Sequence, residues 1–324
     1  MRRYGRSYHA GLLGTLLLRS AVGPPTAAAV DPSLQLVVGL TEAGDATDQW
    51  LAMLRKRLPA ARYQAIVGLR KRFTGGERAW AELIRSRVAI WEGEIPALVK
   101  LFDPIHPPER ALIVIGNRGG EDAFTHDPTT IGFDLAALES VYGNAGLREN
   151  AERVDRLFRH EYVHLLQKAW LLARPYPEDS PLRAAVAEIW AEGLGVHYSM
   201  SDRWRSAGGG HSEAAARALT RLEPRFVARL AALACATPEQ AEQLTAELSY
   251  APFEQKWGAL PAALWLEAEV GRSTEALRDF VVSGPDAVWA IAERQLPSAL
   301  QHVLEEARLA DQLCSSQRGR PTRQ

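Results

Sequence analysis

Cysteine is nearly absent: the 324 residues contain Cys235 and Cys314 and no others. They are far apart and form no C-x-x-C pair, so a cysteine-held zinc knot is excluded, and a single possible disulfide settles no compartment. Charge of one sign is also missing. The formal net charge is −1, so nothing in the balance points to nucleic acid. No apolar stretch is long enough to span a bilayer; Leu12–Leu18 is the nearest approach and falls far short. No internal repeat is visible, and no low-complexity segment apart from a general richness in alanine. With 47% hydrophobic residues and nine tryptophans, the chain can bury a large core with several aromatic anchors.

The N-terminus has the parts of an export signal. Arg2, Arg3 and Arg6 precede the short apolar run, and Thr26-Ala27-Ala28-Ala29 offers a small-residue cleavage site before Val30. Arg19 and Pro24-Pro25 depart from that pattern. The expectation is a signal peptide over 1–29, an exported chain in the periplasm or outside the cell, and a mature length of about 295 residues.

The densest signal is His160-Glu161-Tyr162-Val163-His164, an H-E-x-x-H motif. On a helix, positions i and i+4 lie one above the other, so both imidazoles can reach one metal ion. Glu161 then sits beside the first ligand, placed to take a proton from water at the ion. The flanking residues predict that helix. From Ala151 to Ala173, apolar residues recur at spacings of three and four, Asn150 reads as N-cap, and Arg174-Pro175 reads as the stop.

A catalytic zinc needs a third protein ligand. Ser180-Pro181 reads as a helix start, and the helix predicted over Leu182–Tyr198 carries Glu188 and Glu192 on one face. Here Ile189-Trp190-Ala191-Glu192-Gly193-Leu194-Gly195 resembles the W-x-x-E-G-[LF]-A segment of gluzincin metallopeptidases. Trp190 stands two rather than three positions before the Glu, Gly195 replaces the common Ala, and His197 stands where Tyr is frequent. The resemblance covers Arg159 to Met200. It implies zinc ligands His160, His164 and Glu192, one zinc per chain, and Glu161 as general base. It also implies that Gly193 and Gly195 let the second helix approach the first. Glu188 is the alternative ligand, or an acid supporting one.

The implied fold is α+β, mainly α: a zincin-like core with a small upstream sheet, the H-E-x-x-H helix and a helical C-terminal subdomain. The expected divisions are 30–205, 206–314 and a disordered tail over 315–324, with Gly208-Gly209-Gly210 at the boundary. Strands are predicted at Leu34–Val38, Ala111–Ile115 and Thr129–Phe133, and helices at Asp45–Leu58, Ala60–Phe73 and Glu77–Phe102. Pro96, Pro224 and Pro297 are expected to kink or split their helices. Ile131 to Phe133 is the candidate edge strand against which a peptide substrate pairs, and His126 falls on the loop before it, where it could line the cleft.

The function implied is zinc-dependent hydrolysis of a peptide bond. The absence of a G-x-M-E-N exopeptidase motif tilts the reading to an endopeptidase acting on a peptide or protein. A zincin scaffold that binds without cutting, and a zinc hydrolase of a non-peptide amide, are the alternatives. Tyr198, His197, His211 and Tyr250 are candidates for stabilising the oxyanion, and the sequence does not choose among them.

Overall fold

The structure is a computed structural model that describes residues 33–206, 211–250, 252–273 and 275–318. The leader over 1–29, the Gly208-Gly209-Gly210 boundary and the last six residues of the tail lie outside them.

The architecture is mainly helical with one small mixed sheet. Its strands are β1 (Ser33–Val38), β2 (Arg110–Gly116), β3 (Ala123–Asp127) and β4 (Thr130–Asp134). The spatial order is β1-β2-β4-β3; β1, β2 and β4 run parallel, and β3 is antiparallel to β4. Helices α1 (Asp48–Arg57), α2 (Ala60–Val67) and α3 (Gly75–Lys100) make the long crossover that parallel β1 and β2 require.

The sheet corrects the expected edge. Ile131 to Phe133 lies inside it, paired on one side with β2 and on the other with β3. The two edges are β1 and β3; the one beside α5 is β3, a strand not predicted from sequence, and His126 lies on it rather than in a loop. Its stretch Ala-Phe-Thr-His-Asp carries no sustained apolar alternation. The turn into β4 is local chemistry: Asp127 accepts hydrogen bonds from the Thr129 N–H and hydroxyl at 2.8 and 3.0 Å.

After α4 (Leu135–Tyr142) comes α5 (Arg148–Ala173), which carries the H-E-x-x-H motif. It starts three residues before the predicted start, so Asn150 is inside the helix and is not its N-cap. The Asn150 amide instead donates to the carbonyls of Tyr142 and Asn144, which ties down the preceding turn. Trp91 of α3 stacks on Phe158 of α5 with centroids 4.4 Å apart, and its other neighbour is Phe133 of β4 at 5.9 Å. Asp155 accepts from Arg87 and from the Trp91 indole, and Glu94 takes a two-pronged bond from Arg159. These contacts fix the rotation of α5 about its axis, and with it the direction of the motif.

Next is α6 (Pro181–Ser199), capped by Ser180, whose hydroxyl accepts from the Arg183 N–H. It packs against α5 on one side and α9 (Ala259–Val270) on the other. The remaining helices are α7 (Glu213–Leu233), α8 (Pro238–Thr245), α10 (Ala276–Val282), α11 (Ala287–Gln295) and α12 (Ser298–Arg318). One apolar core runs from Trp80 to Leu304 and crosses position 205 without a break. Pro297 separates α11 from α12 as expected, and Pro96 and Pro224 lie inside α3 and α7 without splitting them. Around both prolines, buried residues such as Ile95, Leu98, Leu222 and Phe226 hold the helix in the core, and that packing outweighs the lost backbone bond. Residues 315–318, predicted as tail, belong to α12. Cys235 and Cys314 form a disulfide that joins the end of α7 to α12. No helix among the described residues is long and apolar enough to cross a membrane.

Candidate metal centre

His160 and His164 stand one turn apart on α5, with their Nε2 atoms 3.0 Å from each other. Glu192 reaches across from α6. Its Oε2 is 3.7 Å from His160 Nε2, and its Oε1 is 3.7 Å from His164 Nε2. Donors held tetrahedrally at about 2.0–2.1 Å from zinc stand about 3.3 Å apart, so the observed spacings fit that ion. Among the described residues this is the one cluster of His, Cys, Asp and Glu with such spacing.

The ligands are backed by hydrogen bonds. The Gln167 amide nitrogen donates to the carbonyls of Trp190 and Ala191, at 3.4 and 3.2 Å. Its carbonyl oxygen must therefore face His164 Nδ1, 2.8 Å away, and accept that nitrogen's proton. The Ser199 hydroxyl donates to the Val196 carbonyl, so its lone pair is what meets His160 Nδ1 at 3.3 Å. Each Nδ1 thus faces a side-chain oxygen able to accept its proton, the arrangement that leaves Nε2 free for an ion. Burial, and then the neighbouring His164, push the His160 imidazole below its ordinary value, which also favours the neutral ring.

Two imidazole Nε2 atoms and a carboxylate therefore converge on one point. Sequence reasoning missed Gln167 and Ser199. Gln167 lies at i+3 from His164, a spacing that could have flagged it.

The two glycines divide their work. A Cβ on Gly195 would come within 2.8 Å of His160 Cε1 and 3.0 Å of both ring nitrogens, so only glycine leaves that ring its place. Gly193 does not face α5, contrary to the expectation. A Cβ there would meet Ala262 of α9 at 2.8 Å, because Gly193 lies on the opposite side of α6.

The centre opens into a cleft of about 1600 Å³. One wall is the β3 edge with Phe124, Thr125 and His126; α5 and α6 form the floor; Tyr250 and Lys256 stand on the far side. Glu161 is buried and accepts a 2.7 Å hydrogen bond from the Thr125 hydroxyl. Burial, and then the charge of Lys56, push the His126 imidazole down, and its Nδ1 is buried without a partner. Glu188 lines the cleft one turn from Glu192 but stands outside the donor cluster, where it accepts from the Ser249 hydroxyl.

Of the four candidates for the oxyanion, only Tyr250 lines this cleft, and its hydroxyl donates to Glu121 on the opposite wall. His197 and Tyr198 line a separate small pocket on another face of α6. Burial, and then Arg205, push His197 down to about 4; burial pushes Tyr198 up to about 12. His211 is spent on the Leu264 carbonyl at 3.1 Å.

Compared with protein-family models, with curated proteins and with solved structures, the chain matches none.

Proposed function

We propose that this chain is a zinc-dependent peptidase, with His160, His164 and Glu192 holding the ion. The observation that carries the reading is the convergence of two imidazole Nε2 atoms and a carboxylate on one point, with each Nδ1 facing an oxygen of Gln167 or Ser199. In the tautomer those oxygens favour, two nitrogen lone pairs 3.0 Å apart beside a carboxylate repel one another unless a cation lies between them. Bound there, zinc supplies a Lewis acid that polarises a carbonyl and lowers the pKa of water.

Glu161 handles the proton. Thr125 occupies its Oε2, which leaves Oε1 to take a proton from the attacking water and to deliver it to the leaving amine. Single small-molecule pockets run to about 300–1,000 Å³, so the larger cleft here supports an extended substrate. The β3 edge on its wall supplies backbone groups to which a peptide strand can add, as expected of an endopeptidase.

Elemental analysis paired with a peptide-library digest tests the reading. One zinc per chain and chelator-sensitive cleavage are expected. Glu161→Gln keeps the zinc and loses activity by a factor on the order of hundreds. Glu192→Gln loses the metal, and Glu188→Gln keeps both metal and activity. Protein without a transition metal, or a Glu161→Gln variant that cleaves like wild type, overturns the proposal.

A further inference from the structure

Arg156 stands one turn before His160 on the same face of α5, 21% exposed, at the divide between the cleft and the small pocket of His197 and Tyr198, and it lines both. The arginines around it are all engaged. Arg87 makes a two-pronged bond to Asp155, at 2.9 and 2.6 Å. Arg159 does the same with Glu94, at 2.9 and 2.7 Å. Arg153 donates to the Asn150 side chain and lies over the Tyr142 ring at 4.3 Å.

Arg156 has no such partner. The nearest carboxylate is Glu152, 4.0 Å away and itself 65% exposed. Asp202, the other acid that acts on it, is fully exposed. A guanidinium carries five donors in a planar fork. Here that fork is partly buried and repelled by Arg153 and Arg159, and its anion contact is the 4.0 Å ion pair with exposed Glu152. The arrangement is stabilised by an anion that arrives with whatever fills the cleft.

We propose that Arg156 is a recognition point for a carboxylate of the substrate, set one helical turn from the metal donors. This rests on the peptidase reading for its substrate class. A helical turn spans 5.4 Å and an extended peptide advances about 3.3 Å per residue, so the carboxylate falls within about two residues of the bond held at the donors. A chain-terminal carboxylate and an Asp or Glu side chain share the chemistry; a planar carboxylate matches the fork in two-pronged fashion.

The test measures binding, so that it does not depend on turnover. The full chain carrying Glu161→Gln is titrated calorimetrically, as purified, with three alanine-rich pentapeptides: a free acid, its C-terminal amide, and an amide with one Glu. The free acid or the Glu amide, or both, should bind about 10- to 100-fold tighter than the plain amide, the size of a charge-assisted hydrogen bond. Whichever of the two gains identifies the source of the carboxylate. Arg156→Met should bring the preference close to one. Arg156→Lys should keep part of it, because a point charge remains while the fork is lost, and it serves as the readout if the Met variant does not fold. Equal, measurable binding of all three peptides, or a preference that survives in Arg156→Met, overturns this assignment alone. Undetectable binding of all three overturns it together with the peptide-substrate reading on which it rests, so the two failures are told apart by whether the plain amide binds.

Discussion

The Thr125 hydroxyl donates a 2.7 Å hydrogen bond to Glu161 Oε2, joining the edge strand of the sheet to the acid inside the H-E-x-x-H motif. Both side chains are buried. The bond engages one carboxylate oxygen of a residue that lines the cleft. If a peptide docks on β3 and Glu161 is the base, as proposed above, Thr125 ties the orientation of that base to the strand that positions the substrate.

Thr125→Val keeps the shape of the side chain and removes the donor. A hydrogen bond to a charged group is worth about 1.5–3 kcal/mol, so kcat should fall roughly 10- to 100-fold. KM and zinc content should not change, since neither depends on this hydroxyl. Thr125→Ser should restore most of the rate. Steady-state kinetics with metal analysis on both variants decide the matter; a Ser variant as slow as Val shows that the hydroxyl is not what matters.

Gly195 and Gly193 are two residues apart and should fail differently. Gly195→Ala sets a methyl 2.8 Å from His160 Cε1, which forces a ligand ring to move. Zinc affinity should drop by a factor on the order of ten or more, as for disturbances behind a ligand. Gly193→Ala presses instead on Ala262 of α9. It should lower the melting temperature and leave zinc affinity near wild type. Competition titration with a chromophoric chelator and thermal melts separate the two, and a Gly195→Ala variant that binds zinc normally refutes the assignment.

How legible this centre was depended on the geometry of one element at a time. His160, His164 and Glu161 follow from spacing on a helix whose apolar period was plain. Along α6, residues advance about 100° each, which places Glu188, Glu192, Gly195 and Ser199 on one side and His197 roughly 140° away from Glu192. The exclusion of His197 was therefore within reach of the sequence. Thr125 was not. It comes to Glu161 from 36 positions away, on a strand of five residues whose register is set by pairing with β4 and not by its own pattern. The edge was misplaced for the same reason: Ile131 to Phe133 has the more apolar sequence, and that suits an interior strand better than an edge.

His197 gives a test of electrostatics away from the centre. Burial, and then Arg205, hold it at about 4 in the folded protein, against about 6.5 when unfolded. The folded state therefore disfavours the proton. Above pH 6.5 the group contributes no slope. As pH falls from 6.5 to 4 the unfolded state takes up the proton first, and stability should decline by up to about 3 kcal/mol, with no further loss from this residue below pH 4. Glu267 lies 3.2 Å from Nδ1, but it is also engaged by Arg205 at 3.2 Å. Urea unfolding across this range, for wild type and His197→Asn, isolates the contribution as the difference between the two curves. If acidification makes wild type the more stable of the pair, His197 is charged and paired with Glu267, and the stated direction is wrong.

The Cys235–Cys314 disulfide closes 79 positions of sequence. A loop of that length removes unfolded-state entropy worth about 4 kcal/mol. For a chain of this size that corresponds to a loss on the order of 10 °C in melting temperature on reduction. The bond ties α7 to α12, and neither helix lines the cleft. Reduction, or a Cys235→Ser/Cys314→Ser double variant, should therefore lower the melting temperature while zinc content and cleavage at 25 °C stay unchanged. A bond of this kind persists in an oxidising compartment, which is where an exported chain resides. Alkylation and mass spectrometry of protein from the native host read both points at once: a blocked cysteine pair on a chain beginning near Val30 agrees with export. Two free thiols on a full-length chain contradict it, and the melting temperature should then be indifferent to reductant.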